Sequence, residues 1–163
     1  MARARGASLI ELRGLYERRL CEFRRVAAAI VGGREAAEDV VQEAFVRAVR
    51  ARDSFAGDGP LDAWVWRIVV NAARDARAHA SRPLGADAPI AAPADSTDER
   101  RELVRAAVEQ LPERQRLILF LRYYADLDYR SIAETLSISD GTVAATLNAA
   151  HARLRQLLTE VRL

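Results

Sequence analysis

The stretch from Tyr129 to Leu158 constrains the fold of this chain most, because it predicts two helices joined by a short turn. In its second half, apolar residues recur at alternating steps of four and three, which is the spacing of one helix face. These residues are Val143, Leu147, Ala150, Leu154 and Leu157. Ser139 stands where an N-cap belongs, since its hydroxyl can accept a hydrogen bond from a free backbone N–H. The pattern fits a helix-turn-helix and an ordinary helical hairpin equally well.

The rest of the chain predicts an all-α fold made of two helical domains. Helical periodicity covers residues 8–31, 35–52, 61–80 and 98–110, and Pro112 marks the start of one more helix. Residues 81–97 contain three of the five prolines and no helical period, which is typical of an extended linker. We therefore expect a helical domain at 1–82, a flexible linker at 83–97 and a helix-turn-helix domain at 98–163.

Composition excludes several classes of protein. Half of the 163 residues are hydrophobic, so a core can form, but no apolar run is long enough to cross a membrane, and we expect no membrane insertion. The N-terminus lacks the apolar segment of a signal peptide. A single cysteine, Cys21, excludes an internal disulfide and fits a reducing cytoplasm. The net charge of only +2 does not mark a strongly basic nucleic-acid binder, so any DNA contact must come from local patches.

No catalytic pattern is visible in the sequence. The only histidines, His79 and His151, lie in different predicted domains, which argues against a metal site, and no Gly-rich phosphate loop exists. We therefore expect no catalytic residues, no metal and no cofactor, and predict that the protein is not an enzyme.

Three motifs in register carry a resemblance to a known family. They read AEDVVQEAFVRAV over residues 37–49, GPLDAWVWRIVVNAARDAR over 59–77 and LPERQRLILFLRYYADLDYRSIAETLSISDGTV over 111–143. Together, and with a linker between the second and third, they resemble the extracytoplasmic-function group of bacterial sigma factors. The resemblance implies a promoter-melting helical domain, a linker and a C-terminal helix-turn-helix domain. It also implies binding to core RNA polymerase and to promoter DNA.

On the second predicted helix, the resemblance implies the surface that docks on polymerase. Taken alone, its polar and acidic stripe favours a solvated helix face. The resemblance reverses that preference, and a small apolar centre with a polar rim suits a helix-on-helix interface. The implied polymerase-binding residues are Asp39, Val41, Gln42, Glu43, Phe45 and Val46.

On the third predicted helix, the resemblance implies contacts to the melted −10 element. Basic and amide side chains lie there at helical spacing beside aromatic rings, and such a surface suits single-stranded DNA, whose bases stack on rings while Arg holds phosphates. The two tryptophans are two residues apart, so they cannot share a face, and one can lie in the core while the other is partly exposed. Without the resemblance, the residues favour an ordinary exposed helix face with Trp64 in the core. The implied residues are Trp64, Trp66, Arg67, Asn71, Arg74 and Arg77. Asp75 is instead expected to form a supporting ion pair.

The helix-turn-helix is expected to read the −35 element, but this chain departs from the family pattern there. The recognition helix has small neutral residues where similar proteins carry basic ones, and Ser137 stands where the turn commonly has Gly. A left-handed Ser137 would cost roughly 1 kcal/mol. The candidate −35 residues are Arg130, Ser139, Asp140, Gly141, Thr142, Ala144, Ala145, Thr146, Asn148 and Arg153.

The resulting functional hypothesis is a cytoplasmic sigma factor that directs core RNA polymerase to specific promoters, with an anti-sigma factor as a further candidate partner. Two alternatives stay open at this point. One is a stand-alone helix-turn-helix regulator, which leaves the second and third helix surfaces unexplained. The other is a protein that binds polymerase or an anti-sigma factor while its own DNA surface is weakened, as the neutral recognition helix suggests.

Overall fold

The chain folds into seven α-helices in a computed structural model that describes residues 6–80 and 99–160, and those ranges contain no strand. The N-terminal unit consists of α1 (Leu9–Val31), α2 (Arg34–Arg50) and α3 (Leu61–His79), with a short 3-10 turn (Arg52–Ser54) before α3. The C-terminal unit consists of α4 (Glu99–Glu109), α5 (Glu113–Tyr123), α6 (Tyr129–Leu136) and α7 (Asp140–Glu160). The all-α prediction is confirmed. The predicted linker at 83–97 lies outside the described residues.

Local sequence signals set several of the helix ends. At the start of α1, Ser8 accepts a hydrogen bond from the Glu11 backbone N–H (3.1 Å), and the Glu11 carboxylate accepts one from the Ser8 N–H (2.9 Å). This capping box satisfies two backbone donors that the helix itself cannot. Gly32 ends α1 in the left-handed conformation (φ 84°), which glycine adopts without steric cost. Asp128 caps α6 by accepting from the Ser131 N–H (2.7 Å), and this bond lowers the pKa of Asp128.

The turn between α6 and α7 has the geometry of a helix-turn-helix. Ser137 is left-handed (φ 56°, ψ 48°), and the Ile138 N–H returns to the Ala133 carbonyl (3.0 Å), which closes α6. Ser139 then caps α7 by accepting from the Thr142 N–H (3.1 Å), as the sequence predicts. Ser137 therefore has the left-handed conformation whose cost the sequence analysis considered, and Gly would adopt it without strain.

We expect Ser137→Gly to stabilise the protein by about 1 kcal/mol, which corresponds to about 2–4 °C in melting temperature, because Gly adopts positive φ without a Cβ clash. Ser137 is exposed and caps no neighbour, so little else should change. Thermal unfolding followed by circular dichroism measures the shift. Ala145→Gly, at an exposed and regular helical position, is the control and should lower stability by about the same amount. A lower melting temperature for Ser137→Gly would contradict this account of the turn.

One hydrophobic core runs through both units. In the N-terminal unit, α1, α2 and α3 pack on one another around Phe23 and Trp66, whose ring centroids lie 4.4 Å apart. In the C-terminal unit, α5, α6 and α7 pack around Ile118, Ile132 and Leu147. The units also meet directly, because α6 packs against α3 and α5 packs against α1. No helix in the described ranges has the length and apolarity needed to span a membrane.

Candidate nucleic-acid and polymerase interfaces

The outer face of α2 presents an acidic and amide surface to solvent. Asp39, Gln42 and Glu43 are exposed, and Val46, 43% exposed, gives this surface a small apolar centre. Phe45 is half-buried, and its ring meets Tyr16 edge-on with centroids 4.8 Å apart. We call these five residues the α2 surface. A partner helix could pack on this exposed face, with an apolar contact at the centre and polar contacts around it.

Val41 does not belong to the α2 surface. Only 1% of its area is exposed, and it lies in the core with the other buried residues of α2. The prediction that Val41 contacts polymerase is therefore corrected, since its side chain is buried inside the N-terminal unit. Val40 and Val41 are both buried. The helical pattern alone does not show that two adjacent valines are both covered by the core.

An ion-pair bridge fixes α2 to α3 beside the α2 surface. The Arg47 guanidinium donates to the Glu43 and Asp75 carboxylates at 3.0 Å each. These hydrogen bonds raise the pKa of Arg47. Asp75 therefore forms a supporting pair, as expected. Because all three side chains remain largely exposed, each pair is worth no more than about 1 kcal/mol.

The exposed side of α3 carries the predicted basic and amide stripe. Arg67, Asn71 and Arg74 are exposed, while Arg77 is half-buried and ion-paired to Glu113 at the start of α5. Trp64 is half-buried near the beginning of the stripe, with its ring centroid 5.5 Å from that of Phe55. We call these residues the α3 surface. Phe55 was not singled out in the sequence, since it lies in the loop before α3 and no periodicity marks it.

Trp66 does not belong to the α3 surface, because none of its area is exposed. It packs against Phe23 in the core of the N-terminal unit, and its indole N–H has no hydrogen-bond partner in the described part of the chain. The prediction that Trp66 contacts DNA is therefore corrected. The expectation that one of the two tryptophans would be core is confirmed, and Trp64 is the one left near the surface.

Residues 141–149 on the outer face of α7 have small, uncharged side chains. Gly141, Ala145, Asn148 and Ala149 are exposed, and Ala144 is half-buried. The hydroxyls near the start of α7 are already engaged: Ser139 and Thr142 share a hydrogen bond (2.8 Å), and Thr146 donates to the Thr142 carbonyl (2.7 Å). Asn148 is the candidate with an unengaged amide, since no hydrogen bond of its side chain occurs within the described residues.

The two cations expected to flank this helix have partners on their own helices, and one of these partners is an anion. Arg130 on α6 pairs with Glu134 (3.2 Å), and the Arg153 guanidinium donates to the Gln156 side chain (3.0 Å). Asp140, at the first position of α7, is exposed and adds a negative charge. This surface can therefore bind a DNA duplex through its shape and a few hydrogen bonds, with only weak electrostatic attraction to the phosphates.

A groove of about 500 Å³ lies between the two units. Its N-terminal side includes Phe55, Trp64 and Arg67, and its C-terminal side comes from the start of α6, with Asp128 and Glu134. No sequence pattern predicts this groove, because its walls are more than 60 residues apart along the chain. Among the described residues, no group of three or more His, Cys, Asp or Glu side chains is arranged to hold a metal ion.

Comparison with known families matches both units. Residues 15–82 match the model of sigma-70 region 2, and residues 101–154 match that of sigma-70 region 4. The chain is similar to the ECF RNA polymerase sigma factor SigM of Mycobacterium tuberculosis, with 35% identity over 153 residues that cover 88% of this chain and 75% of SigM. It is also similar to the ECF RNA polymerase sigma-E factor of Escherichia coli K12, with 35% identity over 127 residues.

The match to the Escherichia coli protein covers 67% of this chain and 66% of that protein, so the chain matches just under two thirds of its length. Among solved structures, the fold is similar to the sigma factor RpoE of Bartonella quintana, determined in complex with the anti-sigma factor NepR. The TM-score is 0.69 at 23% identity, over 93% of this chain and 98% of that one. This likeness supports the arrangement of helices.

Proposed function

The chain belongs to the ECF RNA polymerase sigma factors, and we propose that it binds core RNA polymerase and directs transcription initiation at specific promoters. The observation that carries the proposal is the coexistence of both family regions in one chain, each with an exposed helix surface. A factor of this kind needs no catalytic group, because polymerase supplies the chemistry. We propose that it acts in the cytoplasm, where polymerase and promoter DNA are found.

We propose that the α2 surface docks on core polymerase. Its exposed carboxylates, Asp39 and Glu43, suit a basic partner helix, and Val46 supplies an apolar contact at the centre. Charges at the rim of such an interface mainly guide association, while the central contacts slow dissociation. Core packing sets the orientation of this face relative to α3, and the ion-pair bridge through Arg47 links the two helices beside it.

We propose that the α3 surface holds the separated strand of the −10 element. Trp64, with Phe55 beside it, offers a ring on which a base can stack, and Arg67 and Arg74 can hold phosphates. Asn71, exposed between the two arginines, can read a base edge with its amide. Arg77 contributes once its ion pair with Glu113 is released.

We propose that α7 enters the major groove of the −35 element with few ionic contacts. Asn148 can form two hydrogen bonds to adenine, and Ala144 or Ala145 can contact a thymine methyl group. The backbone N–H groups around Gly141 can approach a phosphate, although Asp140 opposes the negative backbone. Arg130 and Arg153 can contact phosphate with the N–H donors that their bonds to Glu134 and Gln156 leave free.

We expect the free protein to bind duplex DNA weakly and with a shallow salt dependence, because each phosphate contact adds about −0.9 to the log–log salt slope and few contacts are available. Ala145→Arg should tighten binding and steepen the slope by about one contact. Fluorescence anisotropy over a salt series measures both quantities. The matched control is Ala36→Arg, an exposed change on α2. Tight binding with a steep slope by the unmodified protein would contradict the assignment of α7.

Two other functions are separated from this one by direct experiments. A stand-alone helix-turn-helix regulator would not co-purify with core polymerase, whereas the proposed factor should do so at equal stoichiometry. A protein with a weakened DNA surface would bind core polymerase and fail to support specific transcription. The Bartonella quintana relative in fold binds an anti-sigma factor, and we propose a similar class of partner for this chain.

A further inference from the structure

The residues just before α1 are hydrogen-bonded to the turn that follows α2. The Gly6 N–H donates to the Phe55 carbonyl (3.1 Å), and the Ala7 N–H donates to the Arg52 carbonyl (2.8 Å). Ser8 comes next and caps α1. We call residues 6–8 the N-terminal segment. None of the surfaces assigned above to polymerase or to DNA includes this segment, although it contacts the turn that leads into α3.

The N-terminal segment is itself fixed to the N-terminal unit. Ala7 is 4% exposed and belongs to the hydrophobic core, so its side chain anchors the segment from the inside. The capping box of Ser8 and Glu11 fixes the segment to the first turn of α1. Because both anchors lie on α1 and its core, the two N–H groups of Gly6 and Ala7 set the position of the 52–55 turn relative to α1.

The backbone conformation at Gly6 favours glycine. Gly6 has φ +54°, in the left-handed region that residues with a Cβ rarely adopt. An added Cβ would lie 3.6 Å from the Arg52 carbonyl oxygen, which is an ordinary contact, so the constraint comes from φ and not from lack of space. A β-branched residue relieves this strain by rotating about its N–Cα bond, and that rotation moves the N–H away from the Phe55 carbonyl. The hydrogen bond to Phe55 therefore depends on the residue at position 6.

Phe55 connects the N-terminal segment to the α3 surface. Its ring is half-buried, and its centroid lies 5.5 Å from that of Trp64. The Phe55 N–H donates to the Arg52 carbonyl (3.2 Å), which also accepts from Ala7, and the Phe55 carbonyl accepts from Gly6. Residues 56–60, which follow, are all exposed and include two glycines, so they constrain Phe55 little from the other side.

We propose that Gly6 and Ala7 are positioning residues for the −10 surface, because their backbone N–H groups hold Phe55 against Trp64. The two rings then form one ordered platform for a base of the separated strand. This inference rests on the proposed function of α3. Stacking on aromatic rings stabilises bound single strands, and a ring that is already ordered loses less conformational entropy when a base binds. Without the N-terminal segment, Trp64 keeps its place on α3 and loses the ordered ring beside it.

Gly6→Val tests the hydrogen bond to Phe55, and Gly32→Val is its matched control. Both glycines have positive φ and lie in the N-terminal unit, and a Cβ added at Gly32 would meet nothing within 4 Å. The control therefore introduces the same kind of strain at the other end of α1. Gly6→Pro removes the N–H donor outright and serves as a second disrupting variant. Gly6→Asn is the conservative variant, since Asn tolerates the left-handed conformation.

We expect Gly6→Val and Gly6→Pro, in complex with core polymerase, to lower specific transcription about three- to tenfold. The reason is that activity falls with the fraction of molecules in which the two rings are in place. Gly6→Asn and Gly32→Val should retain the activity of the intact protein. Affinity for core polymerase should be unchanged in all four variants, because none of them alters the α2 surface.

Two readouts distinguish positioning from a general loss of stability. Acrylamide quenching of tryptophan fluorescence reports mainly on Trp64, since Trp66 is fully buried, and it requires no DNA. We expect stronger quenching in Gly6→Val and Gly6→Pro, and quenching like that of the intact protein in Gly32→Val. In a Phe55→Leu background, Gly6→Val should cause no further loss of transcription, because two changes that act through one contact are not additive.

The outcomes separate this inference from the proposed function. Unchanged quenching in both disrupting variants, or a loss of transcription that adds to the loss caused by Phe55→Leu, would overturn the positioning role. An equal loss in Gly32→Val would also overturn it, since strain alone would then explain the effect. If the intact protein does not support specific transcription, the proposed function fails. The quenching comparison then decides by itself whether the N-terminal segment holds Phe55 against Trp64.

Discussion

Reversing Asp39 and Glu43 to Arg together is expected to weaken binding of core polymerase by about 10–100-fold, because like charges then face the partner at two positions of one interface. Both carboxylates are exposed on the α2 surface and neither is part of the core, so the protein should remain folded. Binding is measured by titrating labelled protein with core polymerase at fixed ionic strength. The effect should shrink as salt rises, since exposed charges are screened.

Two controls isolate the charge reversal from structural damage. Glu43 also pairs with Arg47, so its loss weakens the bridge between α2 and α3. Asp75→Asn breaks the other arm of that bridge without touching the α2 surface, and we expect it to preserve polymerase affinity. Glu109→Arg makes a charge reversal at an exposed position of α4, in the other helical unit, and should also preserve polymerase affinity. If the variant with both residues reversed bound core polymerase with unchanged affinity, the α2 surface would not be the polymerase-binding surface.

Asn71→Ala is expected to remove about 1–3 kcal/mol of discrimination between bases in the −10 element, as an amide that reads a base edge would. Arg67→Ala and Arg74→Ala should instead weaken binding on all sequences to a similar extent, because phosphate contacts carry little sequence information. All three side chains are exposed on α3, so none of these changes opens a core cavity.

Transcription from a set of promoters that differ only in the −10 element measures both effects at once. The ratio of outputs between sequences reports discrimination, and the mean output reports uniform binding. Arg34→Ala, which removes an exposed cation on α2, is the control for net charge. If Asn71→Ala kept the sequence preference of the intact protein, or if that protein used all −10 variants equally, the base-reading role of Asn71 would be wrong.

Local signals explain why most of the fold could be predicted. The capping box of Ser8 and Glu11 spans three residue steps, and the cap of Ser139 on Thr142 does the same. Such hydrogen bonds depend on nearest neighbours alone, so the sequence pattern is sufficient. The left-handed Ser137 stands where similar turns commonly have Gly, and Gly is the residue that most easily adopts positive φ at the end of a helix.

Contacts between distant residues explain what could not be predicted. Arg77 and Glu113 are 36 residues apart, and Arg19 and Tyr124 are 105 apart, so no periodicity connects them. Assignment of Trp66 and Val41 to surfaces failed for a related reason. Whether an apolar side chain is covered depends on the helices packed over it, and both are covered by the N-terminal core.

The central claim is that this chain gives core RNA polymerase its promoter specificity. In vitro transcription with purified core polymerase on a library of genomic fragments, followed by sequencing of RNA 5′ ends, tests it most directly. We predict discrete start sites that appear only when the chain is added and that share two upstream elements at constant spacing. Start sites identical to those of core polymerase alone, in the presence of a stable complex with the chain, would contradict the claim.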